Sequence, residues 1–422
     1  MLTRKAFGYL AAAYTFIFLS LMLRVSWLTV FVVPVAILLF FSIKLPKLDP
    51  NSIYVTRQIQ PARSLGGEDV KVILTVTNRT NRVIGSLLIE DRLPRDLKIV
   101  AGTSRMMLSL RRGETVQFEY RISSPQRGNY RLGPTQVRLS DNLGLRTVSH
   151  HLSNTDEFIV LPRIEKLGIV DLRGRHFGPW PGLVPSGRIG IGAEFFEIAP
   201  YVAGDDLRRV NWKASARSGM LVTNEYEGEQ VIDVLIVLDC SEAVRSRLFD
   251  YDALEFQVSF AASLCTQLIA QGNRVGLSVY GAVRTWVSPG FGKRHLLRLL
   301  DSLALVKPGA ASLPIKYVVE SVVAAVLPVR SLVLLISPIV GDEVVSMIET
   351  LTAKGYNVAC FAPSARTDIS QSSLALEVAL GIFAAERKLR VRRIERMVDV
   401  VELSPKASVK PLLKVRARWE RR

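Results

Sequence analysis

The sequence is poor in side chains that bind transition metals or form covalent intermediates, since its 422 residues include three cysteines and four histidines. Cys240, Cys265 and Cys360 lie far apart, and no two histidines have the spacing of a zinc-binding helix. This argues against a zinc site and a disulfide framework, and it predicts buried, reduced thiols in a cytosolic body. The sequence also lacks a glycine-rich phosphate loop with a lysine and a nucleophile–base pair, so we expect no enzymatic activity.

Two long apolar runs stand at the amino terminus. Phe7–Leu23 and Ser26–Ile43 are 17 and 18 residues long, and at about 1.5 Å per residue each spans roughly 26 Å, enough for a bilayer core. Because only Arg24 and Val25 separate them, a transmembrane helical hairpin is predicted within residues 1–48. A cleaved signal peptide is the alternative, but the second run follows at once and no small-residue cleavage site precedes it.

The charges that flank the two runs predict their orientation. Arg4, Lys5, Lys44 and Lys47 lie at the outer ends of the hairpin, and Arg24 alone lies between the runs. Positive flanks stay on the cytoplasmic side of a membrane. The sequence therefore predicts a multi-pass protein of the cell membrane with the bulk of the chain in the cytoplasm.

The net charge of +17 is unevenly distributed along the chain. Residues 161–365 carry 20 basic and 20 acidic residues, whereas residues 366–422 carry 14 and 7 and residues 1–160 carry 21 and 11. A basic excess beside apolar runs and in the tail favours attraction to an anionic membrane surface. A nucleic-acid partner is not expected, because the sequence has no basic stripe in the context of a recognition helix.

Residues 51–161 have the pattern of a small β-sandwich. Strands are predicted at Val70–Thr77, Ser86–Asp91, Thr115–Ile122, Thr135–Ser140 and Glu157–Leu161. Short strands separated by turns at this spacing are typical of immunoglobulin-like sandwiches. Residues 162–200 are rich in glycine and proline and are predicted to be a connector that runs as a long loop over the surface.

Strand-like and helix-like segments alternate after residue 230. Strands are predicted at 233–238, 274–280, 331–336, 356–361 and 397–402, and helices at 250–271, 292–304, 314–327, 342–354 and 373–392. This alternation predicts a doubly wound, mostly parallel α/β sheet. The basic tail, residues 404–422, is predicted to be a peripheral helix or a frayed end.

The densest polar chemistry lies just before that sheet. Residues 204–217 read Gly-Asp-Asp-Leu-Arg-Arg-Val-Asn-Trp-Lys-Ala-Ser-Ala-Arg, without an apolar period. This block resembles the "domain of unknown function 58" family, whose members carry GDD…R.(I/V)(N/D)WK.(S/T)AR ahead of a von Willebrand factor A-like domain. The resemblance implies a domain of that type over residues 201–403. It also implies a MoxR-type AAA+ ATPase as partner in complex assembly or maturation, since members are often encoded beside such ATPases.

Nine residues of the block are candidates for partner binding: Gly204, Asp205, Asp206, Arg208, Arg209, Asn211, Trp212, Lys213 and Arg217. One hypothesis is an internal ion-pair lattice, in which Asp205 or Asp206 accepts bidentate bonds from Arg208 or Arg217. The other is a partner surface built on the same residues. The two hypotheses differ in whether these side chains are buried.

We expect a mixture of the two arrangements. Trp212 is predicted to anchor the segment under the sheet, because a large aromatic side chain gains most from burial. Arg217 is predicted to be structural as well. Asp205, Arg209 and Lys213 are predicted to be more exposed.

An A-like domain that binds a divalent cation supplies oxygen ligands from three loops at the carboxyl end of its sheet. The corresponding loops here offer Asp239, Ser241, Ser312 and Asp342, and Pro338 stands where the second aspartate would align. The set is incomplete, so tight magnesium binding is not expected and no cofactor is predicted. Asp239 and Ser241 can instead hydrogen-bond their own loop.

The rival hypothesis is an enzyme, a metal-dependent hydrolase or nucleotidyl transferase that uses Asp205, Asp206 and Asp239. Neighbouring side chains on a strand point to opposite faces, so the paired acids meet one metal only within a turn. The sequence offers no third acid in a matching context, and it indicates no small-molecule substrate. We therefore expect a membrane-anchored cytoplasmic protein that mediates protein–protein interaction and assembly.

Overall fold

The computed structural model describes residues 4–43, 52–124, 126–140, 147–167, 170–171, 181–230, 232–245, 249, 252–280, 285–309, 321, 323, 325, 327–328, 331–365, 374–404 and 413–414. The chain divides into two compact units, Met1–Leu161 and Pro162–Arg422. Of the basic tail the structure describes Ser404 and Leu413–Lys414, so the predicted helix or frayed end lies outside the described residues.

The first unit begins with two apolar helices, α1 (Arg4–Leu23) and α2 (Val32–Ile43). The turn between them passes through Arg24, whose φ of 49° is left-handed, and a 3₁₀ helix precedes α2. The second helix therefore begins as an α-helix six residues later than predicted. Three small residues of α1 are buried at seven-residue intervals: Ala6, Ala13 and Ser20. Small side chains let apolar helices approach closely.

Two described helices are long and apolar enough to cross a membrane. One is α1, whose large side chains, such as Phe7, Tyr14 and Leu21, are exposed. The other, Ala253–Ala270, is mostly buried and lies in the core of the second unit. The predicted apolar helix at the amino terminus is therefore confirmed, and it differs from the core helix in that most of its large side chains are exposed.

The remainder of the first unit is all β. Its strands are β1 (Ile53–Gln60), β2 (Arg63–Leu65), β3 (Asp69–Asn78), β4 (Ile84–Asp91), β5 (Lys98–Gly102), β6 (Arg105–Leu110), β7 (Thr115–Ser123), β8 (Gly128–Leu132), β9 (Thr135–Ser140), β10 (Thr147–Leu152) and β11 (Asp156–Leu161). They form sheets ordered β1-β3-β7-β5, β10-β9-β4-β6 and β2-β11-β8. Buried and more exposed residues alternate along β3 and β9, so one face of each strand enters a common core. The sheets are sandwich-like, as predicted.

A charged side chain lies inside this core. Arg57 of β1 donates from Nε to Asp91 Oδ2 at 2.9 Å and from Nη1 to Asp156 Oδ2 at 2.6 Å. Arg57 Nη2 donates to Thr135 Oγ1 at 3.0 Å, and the Tyr120 hydroxyl donates to Asp91 Oδ2 at 2.6 Å. Burial raises the pKa of Tyr120, and the charge of Asp91 adds to the shift, so this hydroxyl stays protonated and donates. The network joins five strands of three sheets.

The second unit contains a long strand pair before its main sheet. β12 (Val170–Asp171) lies apart from it, β13 (Pro181–Pro200) pairs antiparallel with β14 (Val222–Gln230), and the ladder shifts register several times. The prediction of a long loop over 162–200 is therefore wrong for Pro181–Pro200. Pairing needs only backbone groups, and bulges accommodate the extra residues.

The main sheet of the second unit has six strands in the order β17-β16-β15-β18-β19-β20. The strands are β15 (Asp233–Asp239), β16 (Arg274–Tyr280), β17 (Thr285–Gly290), β18 (Leu332–Ile336), β19 (Asn357–Pro363) and β20 (Asp399–Leu403). All neighbours are parallel except β16 and β17. The prediction missed β17, a partly exposed edge strand. It contains Pro289, and proline in a sequence argues against a strand because strands tolerate it mainly at sheet edges. A last two-residue strand, β21 (Leu413–Lys414), pairs with β12.

Helices cover both faces of this sheet. They are α4 (Ala253–Ala270), α5 (Lys293–Ala304), α6 (Asp342–Ala353) and α7 (Leu374–Glu395), and a short helix, α3 (Trp212–Ser218), precedes them. Helices α6 and α7 share a core with Leu235 and Leu335 on one face of the sheet. Phe361 points to the other face, where its ring centroid lies 5.2 Å from that of Phe260 of α4. The sheet is doubly wound, as predicted. The helix predicted at 314–327 lies largely outside the described residues.

Candidate functional site

The predicted block lies in the connection between β13 and β14, and the two ends of this connection are hydrogen-bonded to each other. Tyr201 N donates to Leu221 O at 2.9 Å, and Asn211 N donates to Val222 O at 2.9 Å. A further backbone bridge joins Val210 to Thr223. The block is therefore a compact loop fixed at both ends by main-chain hydrogen bonds.

The acidic and amide side chains of the block bind its own backbone. Asp205 Oδ2 accepts a hydrogen bond from Val202 N at 2.8 Å. Asp206 Oδ1 accepts a hydrogen bond from Arg208 N at 3.0 Å and caps a 3₁₀ turn. Asn211 Oδ1 accepts a hydrogen bond from Ala214 N at 3.0 Å and caps α3. Short polar side chains satisfy the free N–H groups at helix starts in this way. The high density of aspartate and asparagine therefore has a structural cause.

The predicted ion-pair lattice is wrong. In the described part of the chain neither Asp205 nor Asp206 pairs with Arg208 or Arg217, and all four side chains are exposed. The physical reason is that the carboxylates are already engaged with nearby N–H groups, which lie within three residues. A local cap costs little chain entropy, whereas pairing long exposed arginines contributes little in water.

The predicted anchoring of Trp212 is wrong as well, because this side chain is 66% exposed. The inner position of α3 belongs to Ser215, which is buried and accepts a hydrogen bond from Val222 N at 3.0 Å. A small side chain lets the seven-residue helix lie directly against β14. Trp212, Lys213 and Arg217 consequently point outward together with Ala216.

The remaining members of the block divide between backbone geometry and exposure. Gly204 has a φ of +116°, which only glycine adopts readily, and a Cβ there would meet open space. Asp205 and Lys213 are exposed as predicted, and Arg209 is half-buried. We name the exposed residues Leu207, Arg208, Trp212, Lys213 and Arg217 the block surface. It combines aromatic, aliphatic and basic groups.

A second polar cluster lies at the carboxyl edge of the main sheet. Asp239 ends β15 and Ser337 follows β18, the neighbouring strand at which the chain order of the sheet reverses. Ser337 Oγ donates to Asp239 Oδ2 at 2.7 Å, and Ser241 N donates to Asp239 Oδ1 at 3.0 Å. In open α/β sheets this crevice is the usual place for a binding site. Sequence reasoning missed Ser337, although its position after a buried strand was visible.

Burial governs the electrostatics of this cluster. Burial raises the pKa of Asp239 above its usual range, hydrogen bonds from Ser241 and Ser337 oppose the shift, and the charge of Glu343 adds to it. The loop after Ser337 is constrained too, since Ile339 is buried with a left-handed φ of 53°. A β-branched residue rarely adopts this conformation, so surrounding contacts hold it.

The predicted cation ligands are not assembled together in the described chain. Asp342 is 83% exposed and pairs with Arg390 Nε at 2.6 Å, and Ser312 lies outside the described residues. Among the residues that the structure describes, no group of three or more His, Cys, Asp or Glu side chains is arranged to hold a metal ion. Asp239 and Ser241 adopt the local hydrogen bonding that was the alternative.

A buried arginine of α7 holds the same edge of the sheet. Arg387 of α7 is buried, and it donates to Pro338 O at 2.9 Å and to Pro363 O at 2.8 Å. It also pairs with Glu402 at 3.1 Å. Arg387 thus ties the ends of β18, β19 and β20, and it satisfies carbonyl groups that the strand ends leave open.

Comparisons with known proteins agree with the resemblance of the block. Residues 197–362 match the family described as "Protein of unknown function DUF58". The protein YeaD of Bacillus subtilis, described as uncharacterized, is 24% identical over 271 residues, which cover 62% of this chain and 64% of that protein. The uncharacterized protein Rv1480 of Mycobacterium tuberculosis is 28% identical over 141 residues, covering 33% and 42%. The chain thus spans less than two thirds of the length of these relatives.

Similar solved structures cover smaller parts of the chain. The CARDB domain of the PF1109 protein from Pyrococcus furiosus is 15% identical and covers 26% of this chain and 89% of that one, with a TM-score of 0.19. The pilus adhesin SpaC from Lactobacillus rhamnosus GG is 9% identical and covers 40% and 31%, with a TM-score of 0.28.

Proposed function

We propose that this chain is a membrane-anchored cytoplasmic factor for protein–protein interaction and assembly. Helix α1 supports the anchor, since it is 20 residues long, presents large apolar side chains outward and packs small ones inward. With α2 it forms a hairpin, and the positive flanks favour the cytoplasmic side of the cell membrane for both of its ends.

The second unit is proposed to be a von Willebrand factor A-like domain. Numbered along the chain, the strands of its main sheet follow the order 3-2-1-4-5-6, and the third strand is an antiparallel edge. This order with helices on both faces supports the assignment. Asp239 ends the first strand, where a domain of this kind begins its site.

The block surface supports partner binding most directly. The aspartates of the block bind its own backbone. Trp212, Lys213 and Arg217 therefore face solvent, and neither Lys213 nor Arg217 pairs with an acidic side chain among the described residues. Exposed tryptophan and arginine side chains are enriched in the residues that dominate binding energy at protein interfaces. The partner we propose is the MoxR-type AAA+ ATPase that the family resemblance implies, and the role we propose is non-enzymatic, without a cofactor.

Copurification tests this function. The full chain is captured from its own cells after solubilisation in mild detergent, and the eluate is probed for a MoxR-type AAA+ ATPase. Trp212→Ala should change the free energy of unfolding by no more than about 0.5 kcal/mol, the usual range for surface substitutions. The same variant should abolish copurification. Phe291→Ala, which removes an aromatic side chain that is 72% exposed, is the matched control and should retain it. Equal recovery of the ATPase with both variants would refute the proposal.

A further inference from the structure

Helix α7 is apolar on two opposite sides. Its inner side contributes Leu380, Arg387, Val391 and Ile394, all buried. A helix turns by about 100° per residue, so these positions lie on one side. Val391 and Ile394 pack in the core of the sheet and α6, whereas Leu380 packs with Phe249 and Ala253. These contacts account for the place of α7 in the fold.

The described residues on the opposite side of α7 are exposed. Val378, Ile382, Ala385 and Leu389 recur at intervals of four, three and four residues, and all are exposed, Leu389 to 65%. This spacing places them in one stripe. We call these four residues the outward face of α7. A stripe of this kind marks an interaction site in a folded protein, because water contact with it is unfavourable.

Basic residues extend and flank the outward face. Lys388, Arg392 and Arg396 are exposed at four-residue intervals, and none has an acidic partner among the described side chains. Arg390 and Arg393, by contrast, pair with acidic side chains of α6. Like charges four residues apart destabilise a helix slightly, so an anionic surface would relieve a repulsion that the fold leaves in place.

We propose that the outward face of α7 lies on an anionic lipid surface. Val378, Ile382 and Leu389 would enter the boundary between headgroups and acyl chains, and the three basic residues would contact lipid phosphates. Helices with an apolar stripe beside lysine and arginine bind membranes in this way. The segment that contains α7 carries 14 basic and 7 acidic residues in 366–422, which favours an anionic leaflet.

Two other occupants of the outward face are less favoured. A second copy of the chain would bring Lys388 and Arg392 close to the same cations and add repulsion. An acidic protein segment would match the charges, but the chain also carries the apolar helix α1. If α1 is embedded, the tether keeps α7 at a high effective concentration near lipid, an advantage that a soluble partner lacks.

A fluorescent label on the outward face tests the proposal. Ala385→Cys in the full chain carries an environment-sensitive dye. Labelling is selective because Cys240, Cys265 and Cys360 are buried, and burial raises the pKa of Cys265 and Cys360 to about 12. The protein is reconstituted into vesicles of phosphatidylcholine alone or mixed equally with phosphatidylglycerol. Each vesicle also contains a lipid with a nitroxide quencher near the headgroup.

The expected result is a blue shift and strong quenching in the anionic vesicles, reduced at high salt and weak in the neutral vesicles. Lys388→Glu/Arg392→Glu should lower the ratio of quenched to free label at least about thirtyfold, since each basic residue near such a surface contributes about 1 kcal/mol and each glutamate adds repulsion. Arg294→Glu/Arg298→Glu changes an exposed pair of the same spacing on α5 and should leave the quenching unchanged. Equal melting temperatures would show that both double variants are folded.

Three outcomes would overturn the proposal. The first is a label that stays in water in both vesicles, and the second is quenching that Lys388→Glu/Arg392→Glu leaves intact. The third is a blue shift of the label without lipid vesicles. It would rise with protein concentration in detergent if a second copy covered the face, or it would require an added acidic protein. Failure of copurification with the ATPase would leave this lipid test unaffected, so the two proposals fail independently.

Discussion

The β-sandwich and the block use the same charged groups in opposite ways. In the sandwich, Arg57 is buried and binds Asp91 and Asp156, which lie 34 and 99 residues away in sequence. In the block, Asp205 and Asp206 stand three and two residues from Arg208, and they bind backbone N–H groups instead. Closeness in sequence therefore does not predict ion pairing. Burial does, because a charge removed from water must be paired.

The largest expected effect lies in the sandwich. Asp91→Ala leaves the Arg57 guanidinium buried with Asp156 as its one acidic partner, and removing one member of a buried pair typically costs about 3–5 kcal/mol. We expect a large loss in the free energy of unfolding, measured by urea denaturation of the full chain in detergent. Glu119→Ala removes a carboxylate from an exposed pair with Lys71 and should change it by less than about 0.5 kcal/mol. Similar losses for both variants would contradict the contrast.

A smaller effect is expected where the chain passes beside Arg57. Gly133 has a φ of +96°, and a Cβ there would lie 2.4 Å from Asn154 O and 3.0 Å from Arg57 Nη2. Gly133→Ala should cost about 2–5 kcal/mol, the sum of left-handed strain and overpacking. Gly113 has a φ of +68° with nothing within 4 Å, so Gly113→Ala should cost only the strain, about 1–2 kcal/mol. Equal losses in a thermal melt would show that the network tolerates displacement.

Asp239 extends the comparison to a buried carboxylate without an arginine partner in the described chain. Its pKa is raised above the ordinary 3.8, so between that value and the native pKa the folded state binds more protons than the unfolded state. Stability from this group therefore falls as pH rises through that window. Compared with the unchanged protein, Asp239→Asn should gain stability as pH increases. Melts of both proteins at several pH values measure this, and parallel curves would contradict it.

The same residue decides between the assembly factor and the metal-dependent enzyme. We expect magnesium to raise the melting temperature little, since Asp239 is satisfied by Ser337 and Ser241. A cation present at 100 times its dissociation constant contributes about 2.7 kcal/mol when it binds only the folded state. A clear rise in melting temperature that Asp239→Ala abolishes would restore the hydrolase or nucleotidyl transferase hypothesis.

Periodicity and turn chemistry account for how much of the fold could be predicted. Five of the six main strands were predicted within about two residues, because buried parallel strands are continuous apolar runs. The strand β13 was missed because its pairing depends on backbone groups that composition does not reveal. Trp212 was misplaced because the size of a side chain says nothing about which side of a short helix is covered. Arg57 could not be identified, since its partners converge only when five strands assemble.

The smallest expected effect separates a surface role from a structural one in the block. Lys213 and Arg217 are exposed four residues apart on α3 and repel each other. Lys213→Glu replaces this repulsion with an attraction worth about 0.2–0.5 kcal/mol. The melting temperature should therefore stay unchanged or rise slightly. The same change reverses a charge of the block surface and should abolish copurification with the ATPase. Lys213→Ala, which only removes the charge, should weaken copurification less. If Lys213 instead belonged to an internal ion-pair lattice, Lys213→Glu would lower the stability of the fold. A destabilised Lys213→Glu protein that still copurifies with the ATPase would refute the surface role.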